Sequence, residues 1–146
     1  MPKILQMPKR DEHRDTGKRL LFVDDEPAIR ETLPPILGRY GFMVTVAANV
    51  AEASAEIRKQ QFDILLCDLN LDHEKDGYEV VRAMQVIDPA CVVVMITACL
   101  DVESAIEGIH LGIDDYILKP ANADMLGASL AEKLAVRNKK EVRNSV

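Results

Sequence analysis

The chain reads as an α/β protein: a doubly wound sheet of five parallel strands flanked by five helices. Three observations predict this. Short apolar runs without polar alternation, such as Ile64-Leu65-Leu66-Cys67, suit strands buried on both faces. These runs alternate with segments of helical apolar spacing, the signature of parallel βα units joined by right-handed crossovers. Four of them also end in a polar or charged residue, at the rim where open α/β sheets place their chemistry. Those residues are the pair Asp24-Asp25, then Asp68, Thr97 and Lys119.

Taken in order, residues 1–18 are polar, contain Pro2, Pro8 and Gly17, and read as a disordered leader. Residues 19–23 are the first strand. Pro27 suits the first turn of a helix on which Ile29, Leu33, Ile36, Leu37 and Tyr40 recur at helical spacing. Pro34-Pro35 falls inside that run and removes two backbone donors, so a kinked helix is expected. Gly38 and Gly41 bracket its exit, and residues 43–47 form a short second strand. Asn49-x-x-Glu52 is a capping-box-like start for a second helix, with Ala51, Ala55 and Ile57 expected to face inward.

The central strand, 64–67, follows, and then a loop from Leu69 to Asp76. Gly77 opens a third helix with Val80, Val81 and Met84 on its apolar side, ended by Asp88-Pro89. Residues 92–96, the most β-branched run, belong in the sheet. Asp101 caps a fourth helix containing Ala105, Ile106 and Ile109, and Gly112 ends it. Residues 113–118 are the last strand. Asn122 caps a fifth helix with Met125, Leu126, Leu130 and Leu134. One domain over 19–136 and a solvated basic tail over 137–146 are expected.

Composition narrows the function. No apolar run reaches the roughly 18 residues of a membrane span, and the first residues lack a signal-peptide core, so the cytoplasm is the expected compartment. Cys67, Cys91 and Cys99 are odd in number and form no C-x-x-C pair, which fits packing residues in a reducing compartment. The net charge of −6 hides a split: residues 1–19 carry six Lys/Arg against three acids, and 137–146 carry four against one. The body between keeps eight basic and twenty acidic residues, a net of −12, which argues against direct nucleic-acid binding by the domain.

Asp24, Asp25 and Asp68 carry the chemistry. Two carboxylates about 4 Å apart repel by about 4 kcal/mol at an effective dielectric near 20. Three together call for a cation or raised pKa values, and oxygen-only donors suit Mg²⁺ or Mn²⁺.

With Thr97 and Lys119-Pro120 at matching strand ends, the set resembles the receiver domain of two-component response regulators. The likeness runs over about residues 19–136, and the simplest relatives it suggests are single-domain chemotaxis-type receivers. It implies a flavodoxin-like sheet with strand order 2-1-3-4-5. Asp68 would be the phosphoacceptor, attacking the phosphohistidine of a sensor histidine kinase or a phosphotransfer protein. Asp25 and Asp68 would bind Mg²⁺ directly, Asp24 through water, and the backbone carbonyl of Asn70 would complete the protein ligands. Thr97 and Lys119 would contact the phosphoryl oxygens, and Tyr116 would be the aromatic switch. The Lys119-Pro120 bond would be cis.

The implied output surface is the fourth helix, last strand and fifth helix, where Glu103, Glu107 and Asp124 suit a basic protein partner. With ten mostly polar residues after Val136, a stand-alone receiver is expected. Its downstream protein, and any phosphorylation-dependent homodimer, are not named by these residues. Two features depart from the family: Asp72 stands where proline is usual, and Gly77 lies nine residues after Asp68 rather than eight.

Three other readings compete. Asp72-x-Glu74-x-Asp76-Gly77 resembles the start of an EF-hand, but Ala83 occupies the position of the bidentate glutamate. An aspartyl phosphohydrolase of the haloacid-dehalogenase type needs aspartate two residues after its nucleophile, where this chain has Asn70, and needs that nucleophile after the first strand. A receiver-like module that never takes phosphate is the third.

Overall fold

The computed structural model describes residues 18–144, with side chains through residue 138. The leader expected over 1–18 therefore lies, except for Lys18, outside the described residues. The elements run β1 (Lys18–Val23), α1 (Pro27–Gly38), β2 (Phe42–Ala47), α2 (Val50–Lys59), β3 (Ile64–Asp68), α3 (Gly77–Ile87), β4 (Val92–Thr97), α4 (Val102–Leu111), β5 (Asp115–Leu118) and α5 (Ala123–Asn144). All strands are parallel, in the order β2-β1-β3-β4-β5.

Alternating side chains divide the core. Leu20, Phe22, Ile64, Leu66, Val92 and Val94 face α1 and α5, meeting Leu33, Leu37, Leu126, Leu130 and Leu134. Leu21, Val23, Leu65, Cys67, Val93 and Met95 face the opposite layer, meeting Ala53, Ile57, Val80, Val81 and Met84. Every residue of β3 and β4 is buried, which is why these strands show no polar alternation.

Register brings the rim residues together. Val23 pairs with Cys67, Asp68 with Ile96, and Thr97 with Leu118. Asp24 follows Val23 and so emerges level with Asp68, while Lys119 follows Leu118, two residues beyond that level, and reaches back to the rim with its long side chain.

Several expectations need correction, but the helix containing Pro34-Pro35 is not among them: both prolines lie within the span of α1. The carbonyls deprived of donors belong to Arg30 and Glu31, which are half-buried and exposed, so water can serve them. Buried Leu33 and Leu37 meanwhile hold the helix to the sheet. On α2 the inward residues are Ala53 and Ile57, while Ala51 is exposed. Ile106 and Ile109 of α4 and Met125 of α5 point to solvent. β5 begins only at Asp115, because Asp114 is spent bonding Val93: its amide donates to the Val93 carbonyl and its carboxylate accepts from the Val93 amide, each at 2.8 Å. α5 continues past 136, and Arg137 donates to Asp114 at 2.7 Å and to the carbonyl of Ala90.

Three of the caps form as expected. Asn49 accepts from the Glu52 amide at 2.8 Å, Asp101 from the Ser104 amide at 2.7 Å, and Asn122 from the Met125 amide at 3.0 Å. Gly112 closes α4 at φ +79°, a left-handed conformation that favours glycine.

Candidate functional site

The β1–α1 loop delivers two carboxylates with different surroundings. Asp24 is fully buried, accepts from the Glu26 amide at 2.9 Å and from Lys119 Nζ at 2.9 Å, while Asp25 is exposed. Arg30, one turn into α1, donates to the Asp24 backbone carbonyl at 2.9 Å and pins the loop. Asp68 ends the central strand at 6% exposure. It accepts from Lys119 Nζ at 3.0 Å and from the Asn70 amide at 3.3 Å.

Lys119 therefore lies between two buried carboxylates, with Glu26 a further 3.5 Å contact. Burial raises the Asp68 pKa above the ordinary carboxylate value, and the Lys119 hydrogen bond opposes but does not cancel this. For Lys119, burial disfavours the ammonium, yet the bonds to Asp24 and Asp68 outweigh it and hold the pKa above its usual value. The Lys119-Pro120 bond is cis, as expected.

Asp24, Asp25 and Asp68 each offer an oxygen within 4.8 Å of the others. Hard oxygen donors at that density fit a small divalent cation. Asp72 and Glu74 join no such group among the described residues. The Asp76 carboxylate is occupied by the amides of Leu71, Asp72 and His73, which removes the EF-hand reading.

The remaining predicted residues are placed as follows. Thr97 is buried at the end of β4, but its hydroxyl donates to the Cys99 carbonyl at 3.1 Å. Asn70 is exposed, and its side-chain oxygen accepts from the Lys75 amide at 2.6 Å. Tyr116 turns inward and shares a hydrogen bond of 2.5 Å with the hydroxyl of Tyr78, which in turn donates to the Ser104 carbonyl at 2.6 Å. Burial raises both phenol pKa values. The Tyr116 hydroxyl passes so close to Gly108 that a Cβ there would lie 1.5 Å from it.

Sequence reasoning passed over Tyr78 and Arg30. Tyr78 sits on an apolar helix face, where a phenol reads as packing. The acidic residues of the expected output face are partly occupied inside the molecule. Glu107 pairs with Lys75 at 3.1 Å and Arg82 at 3.2 Å, and Asp124 accepts from Tyr40 at 2.9 Å and Arg39 at 3.4 Å. Apolar Val102, Ile106, Ile109 and Leu118 are exposed alongside Glu103 and Asp124.

The response regulator receiver domain family matches residues 20–131. The alginate biosynthesis transcriptional regulatory protein AlgB of Pseudomonas putida is 36% identical over 124 residues, covering 85% of this chain and 28% of the relative. The transcriptional regulatory protein ZraR of Escherichia coli is 34% identical over 116 residues, covering 80% of this chain and 26% of the relative. The chain thus spans about a quarter of the length of these curated relatives. A CheY-like receiver domain structure from Methanospirillum hungatei superposes with a TM-score of 0.79 at 32% identity, covering 86% of this chain and 99% of that one. The structure of NtrX from Brucella abortus gives a TM-score of 0.78 at 28% identity, over 90% of this chain and 30% of that one.

Proposed function

The chain belongs to the response regulator receiver family, and on that premise we propose that Asp68 accepts a phosphoryl group from the phosphohistidine of a sensor histidine kinase or a histidine phosphotransfer protein. The observation that carries this reading is the cluster in which buried Asp24 and Asp68 share the Lys119 ammonium at the end of the central strand.

A carboxylate oxygen of Asp68 attacks phosphorus as the bond to the imidazole nitrogen breaks. That bond's electron pair stays with the imidazole, which leaves neutral when its other nitrogen carries a proton. Asp25 and Asp68 would hold Mg²⁺ or Mn²⁺ directly, Asp24 through water, and the Asn70 carbonyl would complete the protein ligands. A bound divalent cation supplies positive charge beside the phosphoryl oxygens. Lys119 exchanges a carboxylate partner for a phosphoryl oxygen, and Thr97 leaves the Cys99 carbonyl to donate to another. Neither new contact exists without phosphate, which is the differential interaction a switch requires. Tyr116 then reports the change to α4 and β5. The same site returns the phosphoryl group to water, so the chemistry is self-directed and no external substrate is turned over.

A protein, rather than nucleic acid or a membrane, is the proposed partner of this domain. The body's net charge of −12 supports the first exclusion. No described helix is long and apolar enough to cross a membrane. The output surface serves a separate protein if the receiver stands alone, and a linked segment if it does not. The site chemistry is the same in either setting.

Incubation with acetyl phosphate and Mg²⁺ followed by intact mass measurement tests the proposal. The native chain gains one phosphoryl group and Asp68→Asn gains none. A native chain that gains nothing is a passive binding module. Light scattering of the phosphorylated and unmodified chain reads out any homodimer.

A further inference from the structure

The loop from Leu69 to Asp76 is built around one carboxylate. Asp76 is 7% exposed. Its Oδ1 accepts from the Leu71 amide at 2.6 Å, and its Oδ2 accepts from the amides of Asp72 and His73, each at 3.0 Å. The His73 ring stands 3.9 Å away, largely in solvent. Three convergent amides are what a buried carboxylate needs in place of water.

Two neighbours make this arrangement reachable. Lys75 adopts φ +62°, turning the chain back so that its amide donates to the Asn70 side chain at 2.6 Å. Gly77 lets the backbone approach the end of β3, because a Cβ there would lie 2.1 Å from the Asp68 carbonyl oxygen.

The Leu71 amide matters most. It belongs to the same planar peptide group as the Asn70 carbonyl, and in a trans peptide the N–H and C=O point in opposite directions. A Leu71 N–H drawn inward to Asp76 therefore fixes the Asn70 carbonyl pointing away from Asp76. On the other side of Asn70, its own amide donates to Asp68 Oδ1 at 3.3 Å, so the residue is tethered at both ends.

We infer that Asp76 is a positioning residue for the divalent cation: through the Leu71 amide it sets the direction of the Asn70 carbonyl, and so sets metal affinity without touching the metal. This rests on the reading of Asp25, Asp68 and Asn70 as the cation's ligands. It also gives a physical role to the loop that is one residue longer than the family's usual spacing. The loop backbone is tied to Asp76 through three amides while the side chains of Asp72, His73 and Glu74 stay exposed.

The test is Mn²⁺ binding to the full chain, followed by electron paramagnetic resonance with Mg²⁺ competition. Asp76→Asn keeps the shape but loses acceptor capacity, and is expected to weaken Mn²⁺ binding by about 10-fold or more, as loss of a ligand's supporting partner does. At saturating Mn²⁺, the extent of phosphorylation by acetyl phosphate returns to that of the native chain. Leu134→Ala, which loosens the core far from the loop, keeps native affinity. Native affinity in Asp76→Asn overturns the inference while leaving the cation site standing, as does a phosphorylation defect that saturating metal does not repair. A native chain that binds no Mn²⁺ overturns the parent reading and this one with it. Should Asp76→Asn fail to fold by circular dichroism, a Mg²⁺ titration of the isotopically labelled native chain decides. The Asn70 carbonyl carbon and Leu71 amide nitrogen are expected to shift together, and a Leu71 amide indifferent to Mg²⁺ overturns the inference.

Discussion

The rim around Asp68 and the face formed by α4 and β5 are opposites in how their groups are satisfied. At the rim, Asp24 and Asp68 are buried and already share a cation, Lys119. On the α4–β5 face, Val102, Ile106, Ile109 and Leu118 lie open to water at half exposure or more. Two bridges join the regions: the Lys75–Glu107 ion pair, from the loop after β3 to α4, and the Tyr78–Tyr116 hydrogen bond beneath α4. The difference teaches where each kind of energy resides. Electrostatic energy is concentrated where the phosphoryl group would arrive, and unburied apolar surface where a partner would dock. Of the acids expected to serve the docking face, Glu107 is already paired with Lys75 and Arg82 within the molecule.

The hardest blow to this contrast is Lys119→Ala. It leaves Asp24 and Asp68 facing each other without a cation. Breaking a fully buried pair costs about 3–5 kcal/mol. Lys119 keeps some solvent, so about 2 kcal/mol is expected in urea unfolding without metal, partly restored by Mg²⁺. Next is Gly108→Ala, which pushes the Tyr116 hydroxyl out of its place against α4. Overpacking of this kind costs about 1–3 kcal/mol, here near the lower end because the obstacle is the tip of a side chain. Urea unfolding and the Tyr116 ring resonances would check it.

Asp68→Asn has a smaller effect and the opposite sign. The folded-state pKa of Asp68 is raised, so the folded chain binds more protons than the unfolded one between the two values, and stability falls as pH rises through that window. The asparagine variant mimics the protonated form. It should be more stable than the native chain at pH 7, and the gap should close as pH falls to the ordinary carboxylate range. The same rule applied to Lys119, whose pKa is raised, gives stability that is full below the usual lysine pKa and lost above it.

The α4 face should barely respond. Ile106→Ser is expected to stay within about 0.5 kcal/mol of the native chain in urea, because the residue is half exposed and supports little core. Glu107→Gln should lower Tm only slightly, by an amount that vanishes in high salt. A large drop in either variant would mean that the face is part of the core.

Much of this was legible from residue pattern because the strands are buried on both faces. Unbroken apolar runs marked β1, β3 and β4, and the residue after each marked the rim. Caps at Asn49, Asp101 and Asn122 were readable because a single side chain satisfies a local amide. What escaped depends on contacts distant in sequence. Which face of α4 is buried is decided by Tyr78 and Tyr116 needing Gly108 beneath them, and that puts Ile106 and Ile109 outside. The missing donors of Pro34-Pro35 point to a kink, whereas that α1 stays one helix across them depends on the packing of Leu33 and Leu37. Asp76 was noticed as part of an acidic pattern, but the amides that converge on it depend on the folded path of the loop.

The phenol pair under α4 has an optical consequence. The chain contains no tryptophan and three tyrosines, so its ultraviolet emission comes from Tyr40, Tyr78 and Tyr116 alone. Two of these touch through their hydroxyls, while the third is bonded to Asp124 on the other side of the sheet. Any event that parts residues 78 and 116 changes two of the three emitters at once, giving the molecule a label-free spectroscopic readout of its own state.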